Sequence, residues 1–270
     1  MEDKSSSTFG RYFRVWKRSV VINFSIIAAS RIDFFTFVFA KLVRMGFFLV
    51  LALTLFSTTQ TIKGYGKGEV LVFFAVMNFI DVFVQLFWYR GFTDLQRLVR
   101  NGDFDLVLTK PLSPLFWSAF RIFDFFDLTT IPAAILFLWY AFSQLPVFPS
   151  GENIFLGIVV LLVGFLLAFA VNLMLASLTF FTTELENAWW IYRDIVYVSR
   201  FPPEVFPRVA RCVFTFIFPV IVIVIFPAKA LLGLLTLPMI IWTFATSLLF
   251  LFLALKIWHA ALRHYSSASA

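Results

Sequence analysis

Six long apolar stretches dominate the chain, at residues 34–58, 69–89, 115–142, 153–181, 211–226 and 234–258. Most reach the roughly 20 residues that a helix needs to cross about 30 Å of hydrocarbon. Polar positions gather in the short connectors between them. The alternation of polar and apolar residues that marks outer-membrane barrel strands is missing, so spanning helices are the arrangement that satisfies the backbone inside a bilayer. The pattern predicts an all-α polytopic membrane protein with six transmembrane helices.

The first 33 residues carry a different period. At 100° per residue, Phe9, Tyr12, Phe13, Trp16, Val20, Phe24 and Ile27 fall within about 120° of arc, while Arg11, Arg14, Lys17 and Arg18 occupy another sector. This is an N-terminal amphipathic helix suited to a membrane interface, as a functional element or as a topology anchor. Asn23 and Ser25 interrupt the apolar run at 20–29, which argues against a removable signal. Residues 34–258 then form one membrane domain and 259–270 a short tail.

The longest charged connector is 90–114, RGFTDLQRLVRNGDFDLVLTKPLSP. Thr93 or Asp94 can cap a short helix whose Leu95, Leu98 and Val99 share an apolar face; Gly102 can close it and Pro111 prevents a helical restart. Such a helix either packs on the bundle or docks in a groove of a partner.

Composition narrows the function. Of 270 residues, 61% are hydrophobic and 14% charged, against about 45–50% and 25% in soluble domains, which leaves no room for a second, soluble domain. The net charge of +7 could suggest a polyanion. If the chain starts inside and crosses six times, however, only Lys63, Lys67 and Lys229 of the 22 Lys and Arg fall outside. That is the positive-inside pattern, and it needs no nucleic acid. Cys212 is the single cysteine, and His259 and His264 follow the last stretch, so neither a metal site nor a catalytic triad is expected. Gly64 to Gly68 has Gly where a phosphate loop needs Ser or Thr after the lysine, so it reads as a turn and the chain is not expected to hydrolyse ATP.

Inside the spans, Asn78, Asp81 and Gln85 lie within about 60° of one another, a polar stripe that either lines a path or bonds between helices. Lys41 and Arg44 are expected to snorkel to the inner headgroups. Arg121 is placed to pair with Asp124 at i+3, with Asp127 nearby. Gly164, Ala168, Asn172 and Ala176 form a small-residue stripe for close packing. Residues 184–208 read as an inner segment in which Glu184, Glu186 and Arg193 are solvated or meet a partner. Pro219 and Pro227 interrupt or end the fifth span.

Gly102-Asp103-Phe104-Asp105 followed by Leu108-Thr109-Lys110-Pro111-Leu112 resembles the inner-loop pattern G-x-L-D…L-L-[RK]-P-L of the six-span branch of type-2 ABC export permeases. Phe201-Pro202, Phe206-Pro207, Phe218-Pro219, Phe226-Pro227-Ala228 and Leu231-Leu232-Gly233 are similar to that branch's Y-P…F-P…P…Y-P-A…L-L-G run, with Thr109-Lys110 a departure that keeps the cation. The resemblance implies the permease subunit of an exporter in the plasma membrane with both termini cytoplasmic. It implies a second permease subunit, identical or related, and separate ABC ATPase subunits that carry ATP and Mg. It makes 90–114 a cytoplasmic coupling loop, with Leu95, Leu98, Val99, Gly102 and Asp103 docking the ATPase and Lys110 and Pro111 fixing the return to the membrane. Asn78, Asp81 and Gln85 are then translocation-path candidates, with Asp81 a possible counter-charge for cationic drugs. The rival readings are an ion- or proton-coupled carrier using Asp81, and a scaffold without a polar cavity.

Overall fold

The computed structural model describes residues 8–29, 31–182 and 186–265. Among these residues the chain is all-helical apart from turns and one bridge between Ile62 and Tyr65. Five helices are long and apolar enough to cross a membrane: Phe34–Thr58, Lys67–Arg100, Phe125–Ser143, Gly151–Leu178 and Leu237–His264. Glu184 lies outside the described residues, as do the side chains of Phe9, Ile27 and Glu186.

Helix α1 (Thr8–Ala29) turns its aromatic face to the chain. Tyr12 meets Phe116, Trp16 meets Phe123 and Phe24 meets Phe125, while Arg11, Arg14, Lys17 and Arg18 stay exposed. Asn23 donates to the Arg121 carbonyl at 3.1 Å. Helix α2 (Arg31–Thr58) follows, and its apolar window is unburied within the chain.

Helix α3 (Lys67–Arg100) is the axis of the bundle. Glu69 accepts from the Gly66 N–H at 2.7 Å and fixes its start. Val70 through Met77 are buried without a break, as expected of a helix apolar on all sides. The helix does not stop at residue 89. It passes through a π turn at Gln85–Tyr89 and continues to Arg100, so the cap expected at Thr93 or Asp94 does not form. Thr93 instead donates to the Arg90 carbonyl at 3.1 Å, and Asp94 pairs with Arg97 at 2.8 Å and with Arg121. A π turn loosens the regular ladder, and the Leu86 carbonyl within it accepts from the Asp124 N–H at 3.1 Å. Gly102, at φ 76°, ends the helix as expected, with Phe104 N–H returning to the Leu98 carbonyl at 3.1 Å.

The third apolar stretch is not one helix. After α4 (Asp105–Leu108), α5 (Pro114–Phe120) ends before a break at 121–124, and the crossing is made by α6 (Phe125–Ser143). The break removes the i+3 register, so Arg121 pairs with Asp94 rather than Asp124, and Asp124 pairs with Arg90. Helix α7 (Gly151–Leu178) carries the small-residue stripe. A Cβ on Gly164 would lie 2.9 Å from the Ile223 carbonyl, and Ala168, Asn172 and Ala176 are fully buried.

The fifth crossing also differs from the expected one at 211–226. Helices α9 (Arg208–Ile217) and α10 (Ile221–Leu231) bend by 82° at Phe218-Pro219, because proline lacks the N–H and pushes the preceding residue out of the helical region. Both limbs connect to the same end of the bundle. Ahead of α9, Glu204 bonds Tyr65, beyond the end of α2, at 3.3 Å and Lys229, on the last turn of α10, at 3.0 Å. The pair is therefore a re-entrant hairpin. Helix α8 (Glu186–Val198) runs along the bundle, from Trp189 beside Phe92, past Tyr197 beside Asp81, to the turn Pro203–Val205. Residues 186–205 thus run away from the basic end rather than lie along it. Helix α11 (Leu237–His264) packs along α7 and returns the chain to the basic end, where Tyr265 meets Phe104 and Phe180.

Candidate functional site

Two groups of residues can carry function: the connector at the basic end and a charged cluster within the crossing helices. In the connector, Leu95 and Leu98 are buried in the chain's own core and Val99 is half-buried against it. The apolar face expected to meet a partner therefore packs on the bundle, because the helix is a continuation of α3 and not a separate surface element. Gly91 draws α3 onto α5: a Cβ there would run into the Ser118 and Ala119 carbonyls.

Past Gly102 the pattern alternates. Phe104 and Val107 are buried, while Leu106 is 64% and Leu108 46% exposed. Phe104 anchors the turn against Phe180 and Tyr265. Burial, and then the neighbouring Asp105 carboxylate, push the Tyr265 phenol up to about 12, so it stays neutral at physiological pH. Asp103 is partly exposed, 3.9 Å from Arg97. Lys110 sits over the Trp117 ring at 4.7 Å, and Pro111 is exposed beside it. The ion pairs Arg90–Asp124 and Asp94–Arg121 tie the connector to the start of α6. A cavity of about 560 Å³ lies beside it, lined among others by Arg90, Arg97, Arg100, Trp189 and Trp190.

Of the predicted polar stripe, the structure brings Asp81 and Gln85 together. Both line a cavity of about 20 Å³ with Tyr89, Tyr192 and Arg193. That volume holds about one water. Asn78 is turned back on its own helix and donates to the Phe74 carbonyl at 2.9 Å.

Asp81 is not a lone carboxylate. Arg44 donates to it at 3.2 Å and to the Tyr197 hydroxyl at 2.6 Å, and that hydroxyl lies 3.4 Å from Asp81. Lys41 pairs with the fully buried Asp127. Lys41 and Arg44 thus turn into the bundle rather than snorkel to headgroups, because buried carboxylates wait there. Sequence reasoning named neither Arg44 nor Tyr197 as a partner of Asp81; the one available signal was the i, i+3 spacing of Lys41 and Arg44, which puts both on one face.

Among the described residues no group of three or more His, Cys, Asp or Glu is placed to hold a metal ion. The start of the Gly64–Gly68 stretch is a turn, with Lys63 at φ 53° and Gly64 at φ 91°, closed by Ile62 and Tyr65, and Lys67 and Gly68 already begin α3.

The family model described as ABC-2 family transporter protein matches residues 42–269. No curated protein and no solved structure matches the chain. The match takes in the connector, the charged cluster and the re-entrant hairpin, all but the first helix and the start of α2. On that coverage the chain, a multi-pass helical membrane protein, belongs to the ABC-2 transporter family, as a permease of the type-2 class.

Proposed function

We propose that this chain is the membrane half of an exporter, working as a pair and driven by a separate ATP-binding-cassette subunit that docks on the connector 90–114. The observation that carries this reading is the pair of exposed leucines, Leu106 and Leu108, held on a short turn at the basic end whose neighbours Phe104 and Val107 are buried. Exposed apolar side chains on a braced, polar loop are the anchors a partner groove takes up. Force applied there reaches the crossing helices directly, since the connector is the end of α3 and is pinned to α6 through Asp124. Val99, Gly102, Asp103, Lys110 and Pro111 frame this surface, and Leu95 and Leu98 support it from beneath. ATP and Mg belong to the partner.

The basic end is the cytoplasmic one on this reading, since exposed Arg11, Arg14, Lys17, Arg18 and Arg263 gather there. Pairing with a second permease is supported by α8, where Asp194 is exposed beside exposed Trp190 and Ile191. A charge at that depth calls for protein or water rather than lipid. Asp81 is already paired with Arg44, an arrangement that favours a structural role over that of a carrier site.

Leu106→Glu and Leu108→Glu should leave the permease folded and monodisperse but abolish co-purification of the ATPase and ATP-driven transport. Unchanged assembly and transport in both variants would remove the docking assignment.

A further inference from the structure

Three guanidinium groups converge on one phenol within the membrane-crossing part of the bundle. From the centre of the Tyr197 ring, Arg44 lies at 5.2 Å, Arg200 at 5.6 Å and Arg193 at 5.9 Å. Arg44 is neutralised by Asp81, and the nearby Lys41 by Asp127. The other two have no carboxylate in contact among the described residues. Arg193 stacks on Trp190 at 4.0 Å, and Arg200 lies over Phe48 at 4.0 Å while its Nε donates to the Tyr197 carbonyl at 2.5 Å. Asp194, on the exposed face of α8, acts on Arg200 only through space.

The hydrogen-bond inventory has the same sign. Arg193 Nε and Gln85 Nε2 are both buried without a partner among the described residues, and both residues line the small cavity beside Asp81. Both are donors, so what is missing is an acceptor. Aromatic faces offset part of the cost of a guanidinium in the membrane, but an intramembrane cation is matched by an anion wherever one can reach it. A guanidinium presents its donors in a planar fork that fits phosphate and carboxylate. Arg44 keeps 35% of its side chain exposed, so the cluster opens outward beside α2. The exposed Val43, Phe47, Val50 and Leu51 of that helix offer an apolar wall alongside.

We propose that Arg44, Arg193 and Arg200, gathered around Tyr197, bind the anionic head of an amphiphile, a phosphate or carboxylate carried on an apolar tail. The inference rests on the permease reading for the claim that this amphiphile is the cargo. Asp81 then orients Arg44 and is no counter-charge for a cationic drug.

The test uses the purified full chain in phosphatidylcholine nanodiscs, with equilibrium binding of dodecyl phosphate and, as the charge-reversed probe, dodecyltrimethylammonium. Dodecyl phosphate should bind saturably and the ammonium should not. Arg193→Gln and Arg200→Gln should each weaken binding about tenfold, the scale of one lost charge-assisted bond. Arg200→Lys, which keeps the charge, should retain part of the affinity, and Arg14→Gln on α1 should change nothing. Adding phosphatidylglycerol separates the sources: displacement of dodecyl phosphate makes the ligand a bilayer lipid, and no displacement makes it a distinct amphiphile, both upholding the anion site. The proposal is overturned if the ammonium binds as tightly as the phosphate, or if Arg193→Gln and Arg200→Gln, with parental melting temperatures, bind the phosphate unchanged. Because the assay needs no ATPase, anion binding without ATP-driven transport would count against the permease reading alone. ATP-driven transport without anion binding would count against this inference alone.

Discussion

Replacing Lys41 by Met should lower the melting temperature of the purified chain by about 10 °C, the shift expected when a protein of this size loses about 3–5 kcal/mol. The Asp127 side chain is fully excluded from solvent, and Lys41 is its one ion-pair partner among the described residues. Among the described residues no other hydrogen bond reaches either Asp127 carboxylate oxygen. Taking the ammonium away therefore leaves a bare carboxylate among Phe37, Phe126 and their neighbours. The same pair is one of few ties between α2 and the bundle, so its loss should also free the first crossing helix. Removing both charges together, in Lys41→Met with Asp127→Leu, should recover most of the stability, because a matched apolar pair carries no desolvation cost. A Lys41→Met protein that melts with the parent would show that Asp127 finds its compensation elsewhere.

A carboxylate at Leu95 should prevent the permease from folding at all. Leu95 has no exposed surface and lies in the core with Phe92, Leu98 and Phe104. Leu95→Glu introduces an unpaired charge there, one of the few single changes that cost more than about 4 kcal/mol. The protein should be lost to aggregation or degradation before meeting a partner, where Leu106→Glu yields a folded chain that fails to couple. Size-exclusion chromatography of the two variants side by side makes the comparison. A monodisperse Leu95→Glu that has lost only its ATPase would return Leu95 to the docking surface.

The contrast between these leucines marks how far the sequence could be read. Five crossing helices follow from apolar length alone, because hydropathy measures whether a segment prefers lipid. It does not measure direction. At 211–226 the composition suits a span, yet Pro219 turns the chain back, and it is α8, whose Tyr192, Arg193, Asp194 and Tyr197 make it look like an interfacial segment, that runs along the bundle. At 90–114 the polar residues that look like a helix cap are used differently. Asp94 is recruited by Arg97 and Arg121, so the helix runs through it. Gly102 was legible because only a backbone free to adopt positive φ ends a helix in this way.

For the charged cluster, periodicity placed Asp81 and Gln85 on one face. Their partners were out of reach, since Arg44 and Tyr197 stand 37 and 116 residues away from Asp81. Local spacing rules act over a turn or two of helix, and such pairs are made by the packing of separate helices.

The most direct measurement of the central claim is site-specific photocrosslinking in whole cells, with the probe placed at Leu106, Leu108, the buried Leu95 and the exposed Val147 at the opposite end of the bundle. Probes at Leu106 and Leu108 should yield an adduct with an ATP-hydrolysing subunit, and those at Leu95 and Val147 should not. An ATPase adduct from Val147, or none from either exposed leucine, would contradict the account.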